Sequence, residues 1–152
     1  MNINFDDDSQ KLIEEAKEEM FKLKHPYVGS EHLLLAILNN SDLDITKELN
    51  HYGIFYEPFK NKLIDSVGSG KKNSNWYLFT PLLKDIINNA ADYSGDGVIR
   101  PKELLISLLM CGDGVANRIL LSSNIDICEL CSRIYGSNVE LNNIMPFSIY
   151  RY

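Results

Sequence analysis

Apolar residues recur at a fixed interval along this sequence, and this limits how the chain can fold. Positions in the first half match positions in the second half at an offset of 74, which becomes 71 after a short deletion. The matched pairs are Phe5 with Phe79, Leu12 with Ile86, Ile13 with Ile87, Ala16 with Ala90, Val28 with Ile99, Leu33 with Leu104, Leu34 with Leu105, Leu35 with Ile106, Leu38 with Leu109 and Ile54 with Ile125. Because such a repeat is one supersecondary unit that buries its apolar face on its neighbour, the sequence predicts two copies sharing one core.

The spacing of apolar residues at the start of the first copy predicts a helix. Leu12, Ala16, Met20 and Leu23 fall three or four positions apart, as they would on one face of a helix. We expect this helix to end before Pro26, because the residue ahead of a proline is pushed out of helical geometry. In the second copy, Thr80 followed by Pro81 predicts an N-cap with proline at the first helical position.

The second helix of each copy is apolar nearly all round. In the first copy it contains residues 33–38 and follows Ser30, the predicted N-cap; in the second copy it contains residues 104–109 and opens at Pro101. A helix of this composition belongs at the centre of a core.

Capping residues mark two more helices in each copy. In the first copy Gly53 and Gly68 end them, and in the second copy Asp113 and Asp126 begin them, the last ending at Gly136. The sequence therefore predicts an all-α fold of eight helices, arranged as two four-helix repeats related by a pseudo-two-fold axis.

These patterns also predict the domain organisation. The two repeats span residues 5–67 and 77–135, a polar, glycine-containing segment at 68–76 has the composition of a flexible linker, and an aromatic and apolar tail follows at 136–152. We expect residues 1–152 to form a single domain, because a chain of this length buries roughly 70% of its surface and needs no metal or disulfide for stability.

The charge balance excludes several classes of partner. The chain has 15 Lys plus Arg against 21 Asp plus Glu, a formal net charge of −6, which disfavours nucleic acid because phosphates bind clustered cations. No apolar stretch approaches the roughly 18 residues of a membrane span, and the acidic start is unlike a signal peptide. We therefore expect a cytoplasmic protein that binds neither nucleic acid nor membrane.

Two stretches resemble a known family. The run HPYVGSEHLLLAIL at 25–38 closely resembles the signature of the Clp N-terminal repeat domain, found at the front of Clp-type protein unfoldases. In the second copy, Phe79-Thr80-Pro81 and the run GDGVANRIL at 112–120 resemble that family's repeat opening and third helix. The similarity extends over about residues 5 to 135.

The resemblance implies a binding module for protein quality control and proteolysis. Such domains have no catalytic activity and recruit protein substrates or adaptor proteins to an ATP-driven unfolding ring. We expect no ATP or other cofactor, because the only candidate phosphate loop, at 70–72, lacks both the earlier glycine and the following Ser or Thr. The chain is either the excised N-domain of a longer unfoldase or a stand-alone paralogue, and the apolar tail favours the second.

We expect the partner surface at two equivalent grooves near the starts of the second helices, at residues 29–32 and 100–103, where unpaired backbone N–H groups face outward. The candidate binding residues are Ser30, Glu31, His32, Thr80, Lys102 and Glu103.

Some relatives recognise phosphorylated arginine with a Glu at the start of the second helix and a Thr at the start of the first. The first copy keeps Glu31 but has Asp6 at the threonine position, and the second keeps Thr80 but has Lys102 at the glutamate position. Neither copy has the full pair, and Asp6 would repel a phosphate, so the sequence disfavours this ligand.

A calcium-binding regulatory protein is the alternative. The segment 92–103 has the spacing of an EF-hand loop, with Asp92, Ser94, Asp96 and Glu103 as side-chain ligands and the Val98 carbonyl as another. Against it, a cation occupies position 9, no second loop pairs with it, and the repeat shortening falls here. The competing interpretation is a glycine-rich turn that leads into a helix.

An enzyme is the third class, and the sequence offers no constellation for it. Adjacent Ser30, Glu31 and His32 on one helical turn point in different directions and cannot form a relay. The pair Cys128 and Cys131 has the spacing of a redox or zinc half-site, but it lies in a predicted helix, so we expect small buried apolar residues there.

Overall fold

Eight helices form where the sequence predicts them. A computed structural model describes residues 3–71 and 75–135. Within them the helices are α1 Asp7–Leu23, α2 Ser30–Leu38, α3 Asp44–His51, α4 Tyr56–Val67, α5 Pro81–Ser94, α6 Pro101–Met110, α7 Val115–Ser122 and α8 Ile127–Tyr135. The all-α fold class is confirmed. The division into repeats, linker and tail stays a prediction, and the tail at 136–152 lies outside the described residues.

The helices of the second half repeat those of the first. The starts of α2, α3 and α4 lie 71 positions before those of α6, α7 and α8. In contrast, α1 has 17 residues and α5 has 14, so the shortening comes from this first helix of the second half.

Equivalent hydrogen bonds recur at the same interval. The Thr46 hydroxyl donates to the Ile37 carbonyl at 2.6 Å, and 71 positions later the Asn117 side-chain amide donates to the Leu108 carbonyl at 2.9 Å. Each bond joins the third helix of a half to the second, so the two halves share their internal packing as well as their pattern.

Two very short strands, which the sequence does not predict, connect the halves. Strand β1, Asn4–Phe5, pairs in parallel with β2, Val98–Ile99, and a single bridge joins Val28 to Phe79. At two residues each, these strands are too short to show an alternating pattern.

The two pairings are the same pairing made twice. Phe5 and Phe79 are repeat equivalents, as are Val28 and Ile99, so the register that sets Phe5 opposite Ile99 also sets Phe79 opposite Val28. Each half thus lays its leading segment, residues 4–6 or 78–80, beside the residues that precede the second helix of the other half. We call the pairing at Val28 the first crossing and the pairing at Ile99 the second crossing. A pseudo-two-fold relation requires this arrangement.

The core forms around the two apolar helices. Every residue of α2 except Glu31 is buried, and α2 contacts α1, α3 and α4 of its own half and α5, α6 and α7 of the other. Helix α6 is buried from Leu104 onward and contacts α5 and α8 on one side and α1, α2 and α3 on the other. The halves therefore share one core, as the sequence predicts.

Two predicted caps are wrong by one residue. Helix α2 begins after Gly29, in extended backbone, and Ser30 is already helical; α7 begins after Gly114, with Asp113 just ahead of it. The predicted cap at Thr80 is confirmed, since its hydroxyl accepts from the Leu83 N–H at 3.1 Å.

The start of the predicted linker is fixed to the end of α1. The Gly70 N–H donates to the Leu23 carbonyl at 2.9 Å, and a Cβ on Gly70 would overlap the carbonyl oxygen of Lys24. Composition indicates flexibility here, but this backbone approaches α1 too closely for any residue larger than glycine.

Within the described ranges, no single helix is long and apolar enough to cross a membrane. Helices α6 and α7, which are bent by 74° relative to each other, would together be long and apolar enough by length and composition alone.

Gly70→Ala is expected to lower the free energy of unfolding by roughly 1–3 kcal/mol, because the added methyl group must displace backbone. Urea unfolding would measure the change. The exposed neighbour Ser69 provides the control, since Ser69→Ala should stay within about 0.5 kcal/mol of the unchanged protein. Equal effects of the two substitutions would contradict the close contact.

Candidate functional site

A cleft opens where α2 begins, and residues of both halves line it. Its volume is about 190 Å³, and its lining residues are His25, Pro26, Tyr27, Glu31, Val67 and Thr80. Thr80 reaches this position because its backbone N–H donates to the Val28 carbonyl at 2.9 Å, in the pairing that joins the halves.

This arrangement corrects the way the sequence pairs the candidate residues. Within each copy, Glu31 is matched with Asp6 and Thr80 with Lys102, and neither pair is complete. The crossing of the leading segments instead brings Glu31 and Thr80 into one cleft. Asp6 lies at the other crossing, where its N–H donates to the Ile99 carbonyl at 3.0 Å.

The Glu31 carboxylate is partly withdrawn from water. Its side chain folds back over Gly29, where a Cβ would overlap it. Burial raises the pKa of Glu31, while hydrogen bonding to its own backbone N–H and the positive charge of Arg118 act in the opposite direction. A carboxylate that has lost part of its hydration shell has more to gain from an incoming cation than an exposed one.

Two buried histidines are hydrogen-bonded to each other beside the cleft, and one of them, His25, lines it. The Gly29 N–H donates to His32 Nδ1 at 2.9 Å, so the proton of neutral His32 is on Nε2. That Nε2–H donates to His25 Nδ1 at 2.8 Å, and the His25 Nε2–H donates to the Gly68 carbonyl at 2.8 Å. The donors and acceptors match along the whole chain of bonds only when both rings are neutral.

His25 directly follows the C-cap residue of α1, where a histidine would be expected to be exposed. His25 is buried, and its ring joins the start of α2 to the end of α4 through Gly68, 43 residues away. One local signal was available, since His32 occupies the third position of a helix, where a side-chain acceptor satisfies the N-cap backbone.

Burial lowers the pKa of His32 to about 3. Protonation of His32 would also put a proton on Nδ1, where the Gly29 N–H already donates. The neutral ring is therefore part of the folded structure.

The second half keeps this geometry with different side chains. At the offset of 71, Asp96 replaces His25, Arg100 replaces Gly29 and Glu103 replaces His32. The Arg100 N–H donates to Glu103 Oε1 at 3.1 Å, the same cap that His32 makes for Gly29. The Arg100 guanidinium binds Asp96 Oδ2 at 2.7 Å, and this bond holds the pKa of Asp96 at about 2.

These contacts explain the spacing that suggests calcium. Asp92 and Ser94 belong to the last turn of α5, and the Ser94 hydroxyl donates to the Ala91 carbonyl at 2.9 Å. Asp96 is paired with Arg100, and Glu103 caps α6. Residues 3–71 and 75–135 contain no group of three or more His, Cys, Asp or Glu that could hold a metal ion. Ser94, Asp96 and Glu103 are therefore already bonded to other groups of the protein.

The remaining candidate residues do not line the cleft. Ser30 and His32 are buried, and the Ser30 hydroxyl makes no hydrogen bond within the described residues. Lys102 lies in the other half with its ammonium 4.9 Å from the centre of the Tyr135 ring. Of the six predicted residues, the structure brings Glu31 and Thr80 together.

The cysteines are free thiols. Cys131 is buried, as predicted, but Cys128 is exposed and Cys111 is half-buried. Burial raises the pKa of Cys131 to about 12, which keeps it protonated and unreactive.

Comparison with known proteins places the chain in a family. The profile of the Clp repeat (R) N-terminal domain matches residues 4–123, which is most of the sequence and extends from β1 to α7. The chain belongs to this family. The Clp repeat domain is thus the unit that the two interlocked halves form.

Curated relatives of this Clp repeat domain are long chaperone and protease subunits. It is 27% identical over 140 residues to the negative regulator of genetic competence ClpC/MecB of Bacillus subtilis and 25% identical over 140 residues to the chaperone protein ClpB of Oceanobacillus iheyensis. The match covers 88% of this chain and 17% of each relative, so the chain spans about a sixth of their length.

Solved structures with this fold include other Clp N-domains. The Hsp104 N-terminal domain of Candida albicans has a TM-score of 0.73 at 14% identity, with 89% of this chain and 93% of that chain covered. The N-terminal domain of ClpD from Arabidopsis thaliana has a TM-score of 0.69 at 20% identity, covering 87% and 92%. A ClpV N-domain solved in complex with a VipB peptide has a TM-score of 0.62 at 22% identity, covering 88% and 89%.

The stability of the domain is expected to fall as the pH is lowered from about 6.5 towards about 3. In this window the unfolded chain binds a proton at His32 that the folded chain does not, so the free energy of unfolding decreases by up to about 1.4 kcal/mol per pH unit at this position. The stabilisation is complete above the unfolded pKa. Urea unfolding between pH 7.5 and 5 would measure the slope.

His32→Gln tests the assignment, because glutamine can still accept from the Gly29 N–H but does not titrate. This variant should show a flatter pH profile, whereas His51→Gln, at an exposed histidine, should keep the original slope. If the free energy of unfolding had the same pH slope in the unchanged protein, His32→Gln and His51→Gln, a neutral buried His32 would be contradicted.

Proposed function

We propose that this protein is a non-catalytic binding module that recruits substrate or adaptor proteins to an ATP-dependent Clp unfoldase, either within a longer chain or in trans. Its membership of the Clp repeat family supports this, since its curated relatives include a Clp protease ATP-binding subunit and a chaperone. The structural neighbour solved with a bound peptide supports a protein segment as the partner.

We propose further that the cleft between the halves accepts a guanidinium-bearing side chain of that partner. This proposal is supported by the position of Glu31 and Thr80, which come from different halves and line one cleft. Carboxylates bind guanidinium groups through paired hydrogen bonds, and partial desolvation of Glu31 strengthens such a pair. Tyr27, 48% exposed, and Val67, 50% exposed, offer apolar surface for the rest of the side chain.

A phosphorylated guanidinium also fits the chemistry of this cleft. The Thr80 hydroxyl and the N-terminus of α2 favour an anionic group beside the carboxylate. The charge of Arg118 already acts on Glu31 and would attract a phosphate. Repulsion from Asp6, which makes this ligand unfavourable within the first copy, does not apply because Asp6 lies at the other crossing.

Glu31→Gln is expected to weaken binding of an arginine-centred peptide at least about tenfold, because the neutral amide cannot pair with a guanidinium. Fluorescence anisotropy with a labelled octapeptide, in arginine and phosphoarginine forms, would measure this. Glu57→Gln makes the same charge change at an exposed first-turn position of α4 and should leave the affinity unchanged. Equal affinities for the two variants would refute the assignment of the cleft.

Thr80→Asp separates the two ligand forms. Aspartate retains the helix cap but adds a negative charge to the cleft, so it should weaken the phosphoarginine peptide and strengthen or leave unchanged the arginine peptide. If neither peptide binds the unchanged domain, the proposed ligand class is wrong.

A further inference from the structure

The repeat creates two equivalent positions for a cleft of this kind, one at each crossing of the leading segments. The first is the cleft of Glu31 and Thr80. By the offsets of 71 and 74 that relate the halves, the second is formed by Lys102 in place of Glu31 and Asp6 in place of Thr80.

We infer that this protein has a single guanidinium-accepting cleft, and that Lys102 and Asp6 are the residues that prevent the second crossing from forming another. This inference rests on the proposed function of the first cleft. It adds that one copy of the protein binds one ligand side chain, and that Lys102 and Asp6 determine this number.

The charges at the second crossing are the reverse of those that the ligand needs. Where the first cleft presents a carboxylate, the second presents the ammonium group of Lys102, which repels a guanidinium. Where the first presents a hydroxyl, the second presents the carboxylate of Asp6, whose Oδ1 already accepts the Ser9 N–H at 2.8 Å. A guanidinium that pairs with a carboxylate beside a hydroxyl, as in the first cleft, therefore meets an ammonium in place of that carboxylate.

The remaining side chains at the second crossing are occupied with one another. The Arg100 guanidinium is engaged by carboxylates of its own half, since it lies 2.7 Å from Asp96 and 3.6 Å from Glu103. The Lys102 ammonium packs over the Tyr135 ring at 4.9 Å. At the first crossing, by contrast, the residues equivalent to Asp96 and Glu103 are His25 and His32, which bond to each other and leave Glu31 to the cleft.

An anion is not favoured at the second crossing either. Lys102 and the start of α6 would attract it. The negative charges of Asp6, whose N–H donates to the Ile99 carbonyl, and of Asp96, which pairs with Arg100, would repel it. Lys102 and Asp6 therefore disfavour an anion as well as a guanidinium at the second crossing.

Isothermal titration calorimetry on the whole chain tests the inference, with the arginine and phosphoarginine octapeptides as probes. One peptide should bind per chain, and Glu31→Gln should abolish the heat of binding, because no second cleft remains. The double variant Asp6→Thr/Lys102→Glu copies the first cleft into the second crossing and should raise the stoichiometry to two. Threonine keeps the helix cap that Asp6 provides, and glutamate suits the first turn of α6, so the fold should persist.

The control is Asp8→Thr/Lys84→Glu, the same pair of changes at exposed positions of α1 and α5, which should leave one site per chain. Two sites in the unchanged protein, one of which remains in Glu31→Gln, would overturn the inference and leave the proposed function in place. One site in the unchanged protein that persists in Glu31→Gln would overturn both. No binding of either peptide would overturn both. A double variant that folds but gains no second site would show that Asp6 and Lys102 are not the deciding residues.

Discussion

Two backbone hydrogen bonds between the halves determine how this domain is built. The Thr80 N–H donates to the Val28 carbonyl, and the Asp6 N–H donates to the Ile99 carbonyl, at 2.9 and 3.0 Å. Each bond fixes the residue that caps a first helix beside the start of a second helix from the other half. The core that α2 and α6 share depends on this crossing, and so does the cleft, which neither half contains by itself. Each half alone has about 60 residues, a size at which an isolated core is only marginally stable.

The same backbone geometry supports opposite chemistry in the two halves. Each second helix must satisfy the N–H of its cap residue, and His32 and Glu103 both do so. With histidine in this place, the Nε2–H of the neutral ring requires an acceptor, and His25 provides it. With glutamate, a cation is favoured nearby, and Arg100 provides it. One local requirement thus leads to a neutral buried pair in one half and to a charged exposed cluster in the other.

Local patterns were sufficient for the elements and the core. The apolar spacing of α1, the all-round apolar sequence of α2 and the cap at Thr80 are properties of neighbouring residues, and the structure has them where the sequence predicts them. The errors were also local in scale. Gly29 rather than Ser30 caps α2 because the extended backbone before the helix ends one residue earlier, and the two short strands are below the length at which alternation is visible.

What the sequence determined by itself was the number of helices, their bounds, the apolar faces and the correspondence between the halves, since these follow from the spacing of residues along one chain. What only the tertiary structure decided was which residues meet. Thr80 lies beside Glu31 rather than in a site of its own half, and His25 is buried against Gly68 rather than exposed. The physical reason is that hydrogen bonds between residues far apart in the chain leave no periodic trace, because each partner satisfies only a donor or an acceptor that many residue types could supply.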